Sequence, residues 1–169
     1  MNPPEQGSDG APHLWRGEEN SWQTVGVPVT PSDQDLFHEL SFYTLGLGDR
    51  EFIHQHIVDA FAVQHAGPGS KPIAIVFGLI GLYLHLEKSF TGRQVQLAHM
   101  QLGRFRRAWV APPIPQQHAA IGVADVLAAP SGPERHAMID RWCEAVWQDW
   151  QHARAEIAEL AHFELGVEF

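Results

Sequence analysis

Residues 72–89 read PIAIVFGLIGLYLHLEKS, and the stretch Ile73 to Leu84 within them carries no charge at all. A run of about a dozen residues is well short of the roughly 20 that a membrane-spanning helix needs. Its apolarity on every side instead fits a helix buried in a protein core. Pro72 suits the first turn of that helix, just after the break Gly67-Pro68-Gly69-Ser70. No period-two alternation of useful length occurs elsewhere, so this buried helix sets the fold class as all-α.

Working outward, residues 49–65, DREFIHQHIVDAFAVQH, put Phe52, Ile53, Ile57, Val58, Phe61 and Val63 on nearly every side of a second largely buried helix. Upstream, Ser32 or Asp33 can cap a first helix reaching about Leu47, with Leu36, Leu40, Tyr43 and Leu47 at helical spacing. Downstream, Thr91 can cap a fourth that runs to about Trp109, its end rich in Arg104, Arg106 and Arg107, cations that suit a helix C-terminus. Pro112, Pro113 and Pro115 force a loop, Val123 to Ala128 is a short helical piece, and Pro133 opens a last helix extending to about Phe163. The expected architecture is a single-domain bundle of four to five helices over residues 33–165, preceded by a loose arm over residues 1–32 rich in Pro, Gly, Ser, Asn and Gln.

The 169-residue length fits one core, and a net charge of −9 argues against nucleic acid or an anionic membrane as partner. The single Cys143 offers neither an intramolecular disulfide nor a cysteine zinc site. With no basic-then-apolar leader after Met1, the expected location is cytoplasmic.

The chemistry lies in histidines and carboxylates on inward faces. His56 and Asp59, three apart on the second helix, are neighbours able to converge on zinc or iron or to form a hydrogen-bonded pair. His54 and His65, eleven apart, are separated by about 16 Å of helix and cannot share one ion. Gly78, Gly81 and His85 share a side of the third helix, which permits close approach of a backbone or a ligand beside an imidazole. Glu87 sits four residues after Tyr83, whose hydroxyl could donate to it. His99 faces the core. On the last helix Asp149 and His152, again three apart, are half of the arrangement used by carboxylate-bridged di-metal bundles.

Two readings follow. In the first, a small-molecule site in the bundle holds one divalent metal, zinc or iron, through ligands drawn from His54, His56, Asp59, His85 and His152, with Glu87 or Asp149 as base. The same His–carboxylate pairs also permit metal-free acid–base chemistry. In the second, the histidines are satisfied core groups of a non-catalytic partner module that docks through Trp15, Trp22, Trp147 or Trp150. No nucleophile signature surrounds Ser41, Ser89 or Cys143, and no phosphate-binding loop or dinucleotide fingerprint is present.

At Val58-Asp59-Ala60-Phe61-Ala62-Val63-Gln64-His65 and at Leu82-Tyr83-Leu84-His85-Leu86-Glu87-Lys88 the chain resembles a bacterial family of unknown function, domain of unknown function 5946, over most of residues 35–155. The resemblance extends to a histidine at His54 and a tryptophan-rich final helix with Trp142, Trp147 and Trp150. It implies no activity, but directs attention to His54, Asp59, His65, Tyr83 and Glu87. Some relatives carry an N-terminal cysteine pair; this chain has none, so a cysteine-ligated metal does not carry over.

Overall fold

The computed structural model describes residues 30–105 and 107–168, and its chain divides into two units, Met1–Thr30 and Pro31–Phe169. The expected arm with Trp15 and Trp22, and Arg106, lie outside the described residues. Seven α-helices and one 3-10 turn make up the regular structure of the described residues, and no strand occurs among them. None of these helices is long and apolar enough to cross a membrane.

Helix α1 (Asp33–Gly46) starts where Ser32 accepts from the Asp35 amide while the Asp35 carboxylate reaches back to the Ser32 amide, a reciprocal capping box. Helix α3 (Pro72–Lys88) begins with proline and ends at Ser89 in the left-handed region. It is buried from Ile75 to Leu84 almost without interruption, as its apolar run requires. Helix α4 (Gly92–Leu102) has the Thr91 cap and its own capping box with Gln94. Helix α5 (Val123–Ala128) occupies the expected short segment.

Three boundaries differ from expectation. Helix α2 (His54–Gln64) begins five residues after Asp49, because the Asp49 carboxylate accepts the Phe52 and Ile53 amides and folds residues 49–53 into a turn, with Phe52 at φ 58°. This turn is held on the start of α4 by the Arg93 amide, which donates to the Glu51 carbonyl at 2.7 Å. Helix α4 stops at Leu102 rather than near Trp109. Arg107, beyond that end, pairs with Glu164 and lies over the Trp109 ring.

The expected last helix is two helices, α6 (Pro133–Asp149) and α7 (Arg154–Leu165), joined by the 3-10 turn Gln151–Ala153. Trp150 and Ala153 make the tighter i to i−3 bonds there, and both are buried. No glycine or proline marks this break, which is why periodicity alone carried the helix through it.

Helices α2 and α3 form the centre. Adding a Cβ at Gly78 would bring it to 2.7 Å from Val63 and 3.1 Å from the Asp59 carbonyl. The glycine surface of α3 is thus taken up by the close approach of the α2 backbone rather than left for a ligand. Around this pair, α6 supplies Ile139, Trp142, Cys143 and Val146, and α7 supplies Ile157 and Ala161, all essentially fully buried.

Candidate functional site

The sequence-selected residues fall into separate places. His54, at the start of α2, has Nδ1 2.8 Å from the Thr44 hydroxyl. Thr44 already donates to the carbonyls of Leu40 and Ser41, so the imidazole donates to it. Burial lowers the His54 pKa. His65, at the far end of α2, bridges the Phe61 carbonyl and the Asp33 carboxylate.

His152 is exposed in the 3-10 turn, where Nε2 lies 2.9 Å from the Pro113 carbonyl, and Asp149 is half-buried at the end of α6. Glu87 does not engage Tyr83: its carboxylate accepts from Trp147 Nε1 at 2.9 Å and from the Arg154 guanidinium, which holds its pKa down. It therefore ties α3 to α6 and α7. Trp147 and Trp150 are 5% and 1% exposed, so they are core residues and not docking anchors.

His56 and Asp59 are both buried yet make different contacts. Asp59 Oδ1 accepts from Gln55 at 3.0 Å, while Oδ2 is buried without any partner. Burial raises its pKa well above the usual carboxylate range, with Gln55 opposing. His99 stands 3.9 Å away, too far for a hydrogen bond. Its Nε2 donates to the Phe77 carbonyl at 2.9 Å, leaving Nδ1 to face the Gln55 amide at 3.4 Å. Burial lowers the His99 pKa to about 4, against that carbonyl. Burial disfavours the charged form of each group, and Gln55 lies between Asp59 and His99, which make no direct hydrogen bond.

His56 turns instead to α3. Its ring stacks on His85 with centroids 3.6 Å apart and planes 20° apart, and its Nδ1 is buried without a partner. Burial first, then the neighbouring His85, lower its pKa to about 3, so it is neutral at any physiological pH. His85 places Nδ1 3.4 Å from the Phe90 carbonyl and Nε2 3.2 Å from Asp140 Oδ1 on α6. Both partners only accept, so the ring donates in each contact that its hydrogen faces, and the shorter of the two is the one to Asp140. One turn earlier on α6, Tyr43 receives the Gly132 amide and directs its own hydrogen at His136 Nε2, 3.3 Å away.

These groups line one cleft of about 600 Å³, walled by the Asp49–Ile53 turn, the Ser89–Thr91 link, the end of α3 and the middle of α6. Asp49, Glu51 and Asp140 line it alongside His56, His85 and His136, and none of its lining residues is lysine or arginine. Of these six, sequence reasoning singled out only His56 and His85. His136 and Asp140, four apart and so on one face of a helix, were the available signal for the rest.

Among the described residues no three His, Cys, Asp or Glu side chains stand in an arrangement that would hold a metal ion. The five expected ligands are spread over the Thr44 contact, the cleft, the Gln55 network and the Pro113 contact.

A family model described as a family of unknown function, DUF5946, matches residues 23–151. No curated protein and no solved structure matches the chain.

Proposed function

The chain belongs to DUF5946, a family of unknown function, and we propose that it binds a small polar molecule in the cleft between α2, α3 and α6. The observation that carries this reading is His56: a side chain 5% exposed, stacked on His85, lining the cleft, and with a ring nitrogen that no protein group satisfies. A buried unpaired polar atom costs about 1–3 kcal/mol. Such a cost at a cleft wall is what a bound ligand's polar group would remove.

The cleft volume suits a small organic ligand, since such sites span roughly 300–1,000 Å³. The bare divalent ion expected from the sequence needs three convergent donors about 2 Å from the ion, and the dispersed candidates do not favour it. The alternative, a non-catalytic partner module, loses two of its four proposed anchors to the core.

The test is long-range proton–nitrogen NMR of the imidazoles in the presence of a fragment set containing small amines, carboxylates, phosphates and neutral amides. Fragments that shift His56 and His85 together, and not His65 or His152, support the cleft. If every fragment leaves His56 and His85 unmoved, the cleft is not a ligand site.

A further inference from the structure

The charges of the chain are unevenly placed. Residues 88–124 carry five of its 11 lysines and arginines and none of its 20 aspartates and glutamates, although the net charge is −9. On α4 this segment exposes Arg93, Leu97 and Met100 along one face, and Arg104 extends that face in the turn just after the helix. Leu97 and Met100 are 57% and 59% exposed. Arg93 lies over the Phe52 ring, whereas Arg104 makes no ion pair with any described residue.

Beside this ridge, a groove of about 530 Å³ runs between residues 107–110 and α7. The buried Trp109 and the half-buried Leu160 form its apolar floor, and Val110 and Phe163 border it at 77% and 83% exposure. Glu156 and Glu159 also line it, both exposed and neither in an ion pair with a described residue. Ridge and groove meet edge to edge, because α4 packs on α7 and Gln101 Nε2 donates to the Glu164 carbonyl at 3.3 Å. Two adjoining patches of large exposed apolar side chains mark a surface that another molecule covers.

We propose that the covering molecule is a second copy of the chain, the Leu97 and Met100 ridge of each copy lying in the Trp109 and Phe163 groove of the other, with Arg104 against Glu156 and Glu159. Each patch supplies the charge that the other lacks, a basic apolar ridge against an acidic apolar groove. Because both lie side by side on one molecule, a two-fold rotation seats each ridge in the opposite groove, and every contact forms twice. Aromatic rings, methionine and arginine are also the side chains that interface centres favour. A nucleic acid or an anionic membrane covering the ridge would instead press on Glu156 and Glu159 next to it. The pairing does not involve the cleft between α2, α3 and α6.

The experiment measures the mass of the full chain by sedimentation velocity across a dilution series. A dimer that dissociates on dilution is expected. Met100→Glu and Phe163→Ser, both at exposed positions, should raise its Kd about tenfold or more and leave the circular dichroism unchanged. Phe42→Ser, equally exposed but on α1 and outside both patches, should leave the Kd as it is. Arg104→Glu and Glu159→Arg should each weaken the dimer, because like charges then face each other twice. Mixed in equal amounts, these two variants should form a heterodimer in which both contacts again join opposite charges.

A chain that stays monomeric at every concentration overturns the proposal, whether or not its ridge then binds anionic lipid vesicles. So does a dimer that withstands Met100→Glu and Phe163→Ser, or one that Phe42→Ser disrupts as much. Arg104→Glu and Glu159→Arg chains that dimerise no better mixed than alone overturn the fit of ridge to groove.

Discussion

Gly81 of α3 lies so close to Asp59 of α2 that a Cβ at residue 81 would stand 2.0 Å from Asp59 Oδ2 and 2.6 Å from its Cγ. The carboxyl is fully enclosed and cannot swing away, so the helices themselves would have to part. Gly81→Ala should cost about 3 kcal/mol or more, the upper end of overpacking penalties. Asp59→Ala in the same chain removes the clashing atoms, so the double variant should be more stable than the sum of the two single losses by about 1 kcal/mol or more. Urea unfolding of the four proteins measures this coupling, and simple additivity would show the contact to be relaxed in solution.

The same carboxyl gives a pH signature. Its pKa is raised in the folded protein, so above the ordinary value of 3.8 the unfolded chain releases this proton while the folded one keeps it. The contribution of Asp59 to stability therefore falls as pH rises, until the buried group itself ionises. Asparagine has no proton to lose. Asp59→Asn should gain stability relative to the native chain with rising pH between about pH 4 and pH 8, read from urea midpoints. A difference that is flat across that range would mean Asp59 titrates as an ordinary carboxylate.

His56 and His99 act in the opposite sense. Both are held neutral in the fold, with pKa values of about 3 and about 4, whereas the unfolded chain protonates them near 6.5. Stability should therefore drop as pH falls below about 6.5, and continue dropping until the folded values are reached. At 1.36 kcal/mol per unit, the His99 shift alone is worth up to about 3 kcal/mol. His99→Gln is expected to flatten the acid side of the stability profile between pH 6.5 and pH 4. An acid limb as steep as that of the native chain would place the proton uptake elsewhere.

Much of the fold was legible because it rests on local chemistry. Ser32 and Thr91 form the capping bonds that their residue types invite, and Pro72 opens α3 after a Gly-Pro-Gly break. The misplaced boundaries depend on distant partners: the Asp49–Ile53 turn is fixed by Arg93 of α4, and the break before α7 accompanies burial of Trp150. The site was legible only in part for the same reason. Helix geometry says that His56 and Asp59 are near each other, but which neighbour each one meets is decided by α3, α4 and α6. His85 takes His56, while Gln55 and the close-packed face of α3 at Gly81 take Asp59.

Gln64 joins three segments through one amide. Its Oε1 accepts the indole hydrogen of the fully buried Trp142 at 2.8 Å, and its Nε2 donates to the Ile121 carbonyl at 2.8 Å. Gln64→Leu keeps similar bulk but strands the indole donor, which should cost about 1–3 kcal/mol. Trp142→Phe in the Gln64→Leu background removes the stranded donor, so thermal unfolding should show the second change costing less there than in the native chain. Equal costs in both backgrounds would mean that the indole finds water instead.

The cleft depends on a contact made outside it. A Cβ at Gly92, the first residue of α4, would lie 1.9 Å from the Phe52 carbonyl oxygen and 3.1 Å from that of Glu51. Both are backbone atoms of the turn that carries Asp49 and Glu51 to the cleft, and neither can yield by a rotamer change. The turn is already constrained, with Phe52 at φ 58° and its amide held by Asp49. Gly92→Ala should therefore push the whole turn off α4, breaking the 2.7 Å bond from the Arg93 amide to Glu51. The expected result is faster hydrogen exchange at the Arg93 amide, a loss of about 1–3 kcal/mol in stability, and smaller fragment-induced shifts of His56 and His85. Helical content should hold, because the Thr91 cap and the α2–α3 centre are untouched. An Arg93 amide that stays fully protected in Gly92→Ala would mean that the turn adjusts without leaving α4, and the cleft wall would not depend on this glycine.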